Sequence, residues 1–345
     1  MRHPIAGGIG PRRAALAVAL AGFAAALAQA APPTQPLQRY EASRMSMACL
    51  YAIEAYGPDA AALPRIVEDA FDEVDRIDRL MSHYKADSPL SRLNRDARRG
   101  PAPVERELFD FIAEAMRYSR ESDGAFDITV GPLMKAWGFF RGDGRVPSPD
   151  ELAVARRSVG SRHVTLDAAT RSIAFDDPGV ELDLGGIAKG YAVDRAVAFL
   201  RRRGVVAALV SAGGSSVYGL GAPPERDGWT IAIQDPLDAS KTAFDVRLHD
   251  RALSSAGSSE KFFEADGKAY SHIMDPRTGR PVQGMLSVAV LSAEATAGDA
   301  LDDALFVLGP TGSGKYLRRL RGIEVYFFEP GPNRSWSVQK QGGKT

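Results

Sequence analysis

A single cysteine, Cys49, in a chain of 345 residues excludes an internal disulfide and leaves too few thiolates for a cysteine-rich zinc site. Any metal must therefore be held by oxygen or histidine donors, and only five histidines are present. Neither charge is in excess: 43 basic side chains face 43 acidic ones with no block of like sign, so the electrostatic footprint of a nucleic-acid binder is missing. No internal repeat recurs at a fixed period, which sets aside solenoid and propeller architectures. What is present is 45% hydrophobic content, enough for one substantial core and too much for a disordered chain.

The longest apolar run, Ala14 to Ala28, follows Arg2, Arg12 and Arg13 and leads into Ala28-Gln29-Ala30. Its fifteen residues fall short of the roughly 20 that a bilayer span needs, and the basic start with a small-residue cleavage site reads as a signal peptide over residues 1–30. No cysteine stands at the cleavage point, so a lipid-modified amino terminus is not supported; the Arg12-Arg13 pair permits export in the folded state. The expectation is a periplasmic or extracellular protein with no stable membrane insertion after cleavage. The leader carries three arginines and no acidic residue, so the remaining chain is mildly acidic. Residues 31–44 read as a flexible, proline-containing leader, 45–330 as one domain, and 331–345 as a polar tail that frays.

Within that domain, Met47 to Gly57 reads as a strand leading into a helix over Leu63 to Met81. There Leu63, Ile66, Val67, Ala70, Phe71, Val74, Ile77 and Leu80 recur at three- and four-residue spacing and Glu68, Asp72, Glu73 and Asp75 fill the other face. A second helix is expected from Val104 to about Arg120, ended by the Asp-Gly-rich SDGAFDITVG. From Val180, VELDL reads as a strand, followed by a glycine pair and a helix closed by arginines and Gly204. VVAALV, WTIAI, AFDVRL, MLSVAVL and IEVYFF read as strands, and AGDALDDALFVLG as a helix. This irregular alternation predicts an α+β domain with an antiparallel or mixed sheet.

Two glycine-rich segments invite a nucleotide reading. GPTGSGKY, Gly309 to Tyr316, nearly matches a phosphate-binding loop, but Tyr316 stands where serine or threonine is required and a helix precedes it instead of a strand. GGIAKG lacks the dinucleotide spacing, although a glycine turn before a helix can still aim amides at phosphate. Cys49 reads as a small buried side chain, and His163 and His249 as local packing residues. His272, beside the turn-forming Asp275-Pro276, is either structural or an exposed acid-base group. Asp299 and Asp303, at i and i+4, either converge on a hard cation such as magnesium or form a solvated acidic face with Asp302.

Read together and in order, MSHYKADSPLSRLN, FDITVGPLMKAWGF, LDLGGIAKGYAVD, LVSAGGSSVYGLG, SHIMDPRTG and AGDALDDALFVLG resemble the flavin transferase family that moves FMN from FAD onto protein threonine or serine. The resemblance runs from Met47 to about Phe328. It implies a single elaborate α+β transferase domain, FAD as donor, Mg2+, and an acceptor flavoprotein such as a membrane redox-complex subunit, with no nucleic-acid partner. Met47 is similar to a methionine of the family's flavin-contact segment. Ser82, His83 and Tyr84 fall on a pocket sequence that is ordinarily Ser-Thr-Tyr, so His83 departs. Asp123, Ala125, Asp127 and Lys189 fall on further FAD-contact positions. Gly186 matches a position that offers a backbone carbonyl to magnesium, and Asp299 a carboxylate ligand; Asp303 replaces a frequent threonine. His272 is similar to the histidine proposed to assist catalysis and to lie against the cofactor, and Asp275 would order its turn.

The implied reaction is attack of an acceptor hydroxyl on the FMN phosphorus with AMP as leaving group. The alternatives are an FAD-binding or FAD-scavenging protein that does not transfer efficiently, and magnesium-dependent hydrolysis of FAD to FMN and AMP.

Overall fold

The computed structural model describes residues 36–343; the expected signal peptide lies outside the described residues. Eight strands form one sheet in strict chain order: β1 (Gln38–Ser46), β2 (Cys49–Gly57), β3 (Ala207–Ala212), β4 (Ser216–Leu220), β5 (Arg251–Gly257), β6 (Ser287–Ser292), β7 (Glu324–Pro330) and β8 (Trp336–Gly342). Every neighbouring pair is antiparallel. The expected antiparallel α+β class is what forms, and everything else is carried in the connections between strands.

Two boundary expectations are corrected. The leader is structured from Gln38, because β1 pairs residue for residue with β2, and the polar tail is the last strand of the sheet, β8, paired along β7. Their outer positions face water, which is why both segments read as polar and loose.

The connection from β2 to β3 carries six helices: α1 (Leu63–Met81), α2 (Pro89–Asp96), α3 (Arg106–Glu121), α4 (Gly131–Ala136), α5 (Pro149–Arg157) and α6 (Ala188–Arg202). α7 (Ala295–Gly312) lies between β6 and β7. Helix α1 has the predicted bounds, and all eight of its predicted apolar positions are buried. With α6 and α7 it covers one face of the sheet, against Tyr51, Ile53, Ala55, Val210, Val288 and Val290. On the other face a ribbon of Trp229–Asp235 and Asp238–Leu248 places Trp229, Ile233, Val246 and Leu248 against Val217, Leu253, Ala289 and Phe328. A smaller apolar group, Leu133, Trp137, Leu152, Val159 and Met274, supports the far end.

The strand expected at Val180–Leu184 is not one. The segment is extended and buried, but its main chain bonds to a side chain: Asn94 accepts from the Leu182 amide (2.8 Å) and donates to the Leu182 carbonyl (2.9 Å). The Asp183 amide donates to the Ile128 carbonyl at 2.7 Å. One asparagine thus supplies the pairing of a neighbouring strand, satisfying polar groups that burial would otherwise leave unpaid.

Helices α6 and α7 meet at their amino-terminal ends. Gly190 makes this approach possible, since a Cβ there would fall on the Ala295 carbonyl. Asp194 of α6 caps α7 across the gap, accepting from the Ala295 amide (2.9 Å), the Thr296 amide (2.8 Å) and the Thr296 hydroxyl (2.6 Å). The phosphate-loop look-alike is the frayed end of α7: Gly309, at φ 64°, breaks the helix and Tyr316 is buried in the following turn.

Candidate active site

The site is built where α6 begins. Asp183 turns the chain by accepting the Gly185 amide at 2.8 Å, and α6 starts two residues after Gly186. Lys189 lies in its first turn and its ammonium donates to the Ser215 hydroxyl at 2.5 Å, while Asp299 of α7 reaches the same place. The Gly190 amide donates to Asp299 Oδ2 (2.6 Å) and the Ser216 hydroxyl to Oδ1 (2.5 Å). Segments more than a hundred residues apart in the chain therefore meet at one point, as the family resemblance implies.

Charge there is unbalanced. Burial pushes Asp299 above the usual carboxylate range although Lys189, Ser216 and Gly190 pull the other way. Burial and then Asp303 push Asp302 well up, and burial with repulsion from Asp299 brings Asp303 to about 7. Burial alone would lower Lys189, but the facing Asp299, Glu260 and Asp302 hold its ammonium above its ordinary value. No described residue donates a hydrogen bond to Asp302 or Asp303, and the main chain at Gly186 lies against Asp303: a Cβ there would collide with Oδ2. This oxygen-only, undercompensated set is the chemistry that suits a hard cation. Among the described residues no three His, Cys, Asp or Glu side chains gather around one point.

His272 stands on the connection between β5 and β6. Its amide donates to the Lys261 carbonyl at 2.9 Å and its Nδ1 faces the same oxygen at 3.3 Å. That contact assigns the proton to Nδ1 and leaves Nε2 with a lone pair. Burial, then the charge of Lys261, pushes the imidazole down to about 4; Lys189 contributes in the same sense. Asp275 orders the following turn as expected, accepting from the Arg277 amide (3.0 Å) and guanidinium (2.8 Å).

The remaining expected residues divide. Met47 and Ala48 form the two-residue turn between β1 and β2 at φ 49° and 59°, a conformation that non-glycine residues adopt at a cost, and Met47 Sδ accepts from the Tyr51 hydroxyl at 3.1 Å. Ser82 ends α1, its carbonyl accepting from Ser88 at 2.5 Å. Tyr84 is exposed and stacks on Phe140 with ring centroids 5.1 Å apart. Asp123, at φ 53°, turns the chain out of α3 toward the buried Ala125. Asp127 is fully committed to the protein: Oδ1 accepts from the Thr129 amide (2.9 Å) and hydroxyl (2.7 Å), and Oδ2 from the Ser161 amide (2.9 Å). Its carboxylate fastens two loops together.

Sequence reasoning missed Ser215 and Ser216, which hold Lys189 and Asp299, and Asp183 beside His83. The serines stand in LVSAGGSSVYGLG, which carries part of the family resemblance without marking them out, and hydroxyl side chains leave no periodic mark.

Residues 47–327 match the ApbE family model, and the chain belongs to this family of flavin transferases. It is 34% identical to the FAD:protein FMN transferase of Escherichia coli K12 over 282 residues, 78% of each chain. It is 32% identical to that of Treponema pallidum over 310 residues, 85% of each. Among solved structures, the apo flavinyl transferase ApbE of Pseudomonas stutzeri superimposes with a TM-score of 0.78 at 28% identity, covering 89% of this chain and 95% of that one. The ApbE protein of Thermotoga maritima gives 0.78 at 30% identity, covering 87% and 96%.

Proposed function

We propose that this enzyme transfers FMN from FAD to a threonine or serine hydroxyl of an exported or membrane acceptor protein, releasing AMP, with Mg2+ required. The observation that carries the reading is the convergence of Lys189, Asp299 and the Gly186 turn against Asp303 within electrostatic reach of His272. Lys189 at the start of α6 attracts the FAD pyrophosphate. Asp299, Asp303 and the Gly186 carbonyl would hold magnesium, which when bound neutralises phosphate charge. Neutral His272 accepts the acceptor hydroxyl proton at Nε2. The acceptor oxygen then bonds to the FMN phosphorus, the bond to the AMP phosphate oxygen breaks, and AMP leaves with the electron pair. Met47, Ser82, Tyr84, Asp123 and Ala125 line the nucleotide, and Asp127 fastens the loop that follows Asp123 and Ala125. The amino-terminal sequence supports a periplasmic location.

The test is incubation of the chain lacking residues 1–30 with FAD, magnesium and a candidate acceptor, followed by intact-mass measurement. Acceptor heavier by one FMN, with AMP released, supports transfer. Free FMN and AMP with unmodified acceptor indicate hydrolysis, and intact FAD indicates binding alone.

A further inference from the structure

His83 is the residue at which this chain departs from the pocket sequence it otherwise resembles, and its surroundings give it a task. Its side chain is only 6% exposed, and Nδ1 lies 3.2 Å from Asp183 Oδ1. The other nitrogen, Nε2, is buried with no hydrogen-bond partner. An orphaned buried polar atom is costly and uncommon in a native structure. His83 also sits in an aromatic layer: its ring is 3.9 Å from that of Tyr84 and 5.4 Å from that of Phe140. Tyr84, the ring lying against His83, is itself 58% exposed.

We propose that His83 is a nucleotide-binding residue whose Nε2 accepts a hydrogen bond from a ring N–H of the bound dinucleotide, a role resting on the FAD reading above. Asp183 Oδ1, 3.2 Å from Nδ1, is an acceptor, so in the neutral form of the ring the proton belongs on Nδ1 and the lone pair on Nε2. Phosphate oxygens only accept and cannot satisfy that atom. A planar heterocycle with a ring or exocyclic N–H satisfies both the lone pair and the aromatic layer. FAD offers two, the flavin N3–H and the adenine amino group. Because Asp183 Oδ1 also holds the Gly185 amide, the same contact braces the turn that sets Gly186 against Asp303.

The experiment compares dissociation constants for FAD, FAD methylated at flavin N3, and FAD lacking the adenine amino group, read by flavin fluorescence. Wild type should bind one analogue about tenfold more weakly than FAD, and which one identifies the ring. His83→Asn keeps a donor toward Asp183 and removes the acceptor; it should bind FAD about tenfold more weakly, lose the discrimination, and raise KM with kcat little changed. His83→Gln places an amide oxygen near the Nε2 position and should keep the discrimination, which decides the matter if the asparagine variant does not fold. Equal binding of all three ligands by wild type, or discrimination retained in His83→Asn, overturns the proposal. FAD binding without transfer to any acceptor would sink the transferase reading and leave this one standing; absence of FAD binding overturns both.

Discussion

Replacing Asp194 by asparagine tests whether the cap joining α6 to α7 is a buried ionised group. The carboxylate accepts three hydrogen bonds from the first turn of α7, the helix that carries Asp299 and Asp303. Asparagine keeps one oxygen for Thr296 and turns an amino group toward the Ala295 amide, losing one hydrogen bond and leaving an orphaned donor, a cost of about 1–2 kcal/mol. That cost should vary with pH. Burial raises Asp194 from 3.8 to about 6, so between those values the folded protein holds a proton that the unfolded chain has lost. Wild-type stability from this group is therefore present at low pH and lost as pH rises through about 6, while asparagine has no such dependence. A shift of that size on an enclosed group is worth about 3 kcal/mol; for a partly exposed carboxylate, screening reduces it to roughly 1. Urea midpoints at a series of pH values from 5 to 8 should show the variant furthest below wild type at pH 5, with the gap narrowing by roughly 1 kcal/mol toward pH 8. A gap constant across that range, or one that widens with rising pH, would refute the buried-charge argument.

Three further outcomes follow from the same geometry. His272→Ala should lower kcat/KM for transfer by roughly 100-fold or more while FAD still binds, and should abolish the step in the wild-type pH profile that comes as His272 protonates near 4; an unchanged rate in the variant would remove the general base. Asn94→Ala leaves the buried Leu182 amide and carbonyl unpaired and should cost about 2–3 kcal/mol by denaturant titration, whereas a change under 0.5 would mean that water replaces the amide. Gly190→Ala should drive α6 from α7, lowering the melting temperature by several degrees and weakening FAD binding together, and a variant with wild-type values of both would show that the helices separate freely.

Elements with strong periodicity were legible in the sequence. The bounds of α1 follow from its apolar spacing, and the strands at WTIAI, MLSVAVL and IEVYFF from β-branched and aromatic content. β1 and β8 were not, because edge strands turn many side chains to water, and the inward positions of β1 mix Tyr40 and Ala42 with the charged Arg44. Val180–Leu184 misled for the opposite reason: it is buried like a strand, but its partner is the Asn94 side chain, 88 residues away in the chain, which no local pattern reveals. At the site, Lys189, Asp299, Gly186 and Asp303 were named through ordered motifs; in the structure Lys189 and Asp299 bond to the adjacent Ser215 and Ser216, and the Gly186 main chain lies against Asp303. Asp127 was found by the same route, yet the structure ties its carboxylate to Thr129 and Ser161: a motif marks where a residue stands and not what its side chain is bonded to.

The strict chain order of the eight strands has a consequence for how such an enzyme can diverge. Since each strand pairs with its immediate predecessor, every connection leaves and re-enters the sheet at adjacent positions, and its length is invisible to the ladder beneath. The segment 258–286 that delivers His272 and the segment 58–206 that delivers Lys189 behave as cassettes clipped into a fixed rack. The rim that greets an acceptor could be rewritten by exchanging one cassette, with the sheet keeping register and the anion-facing helices keeping station.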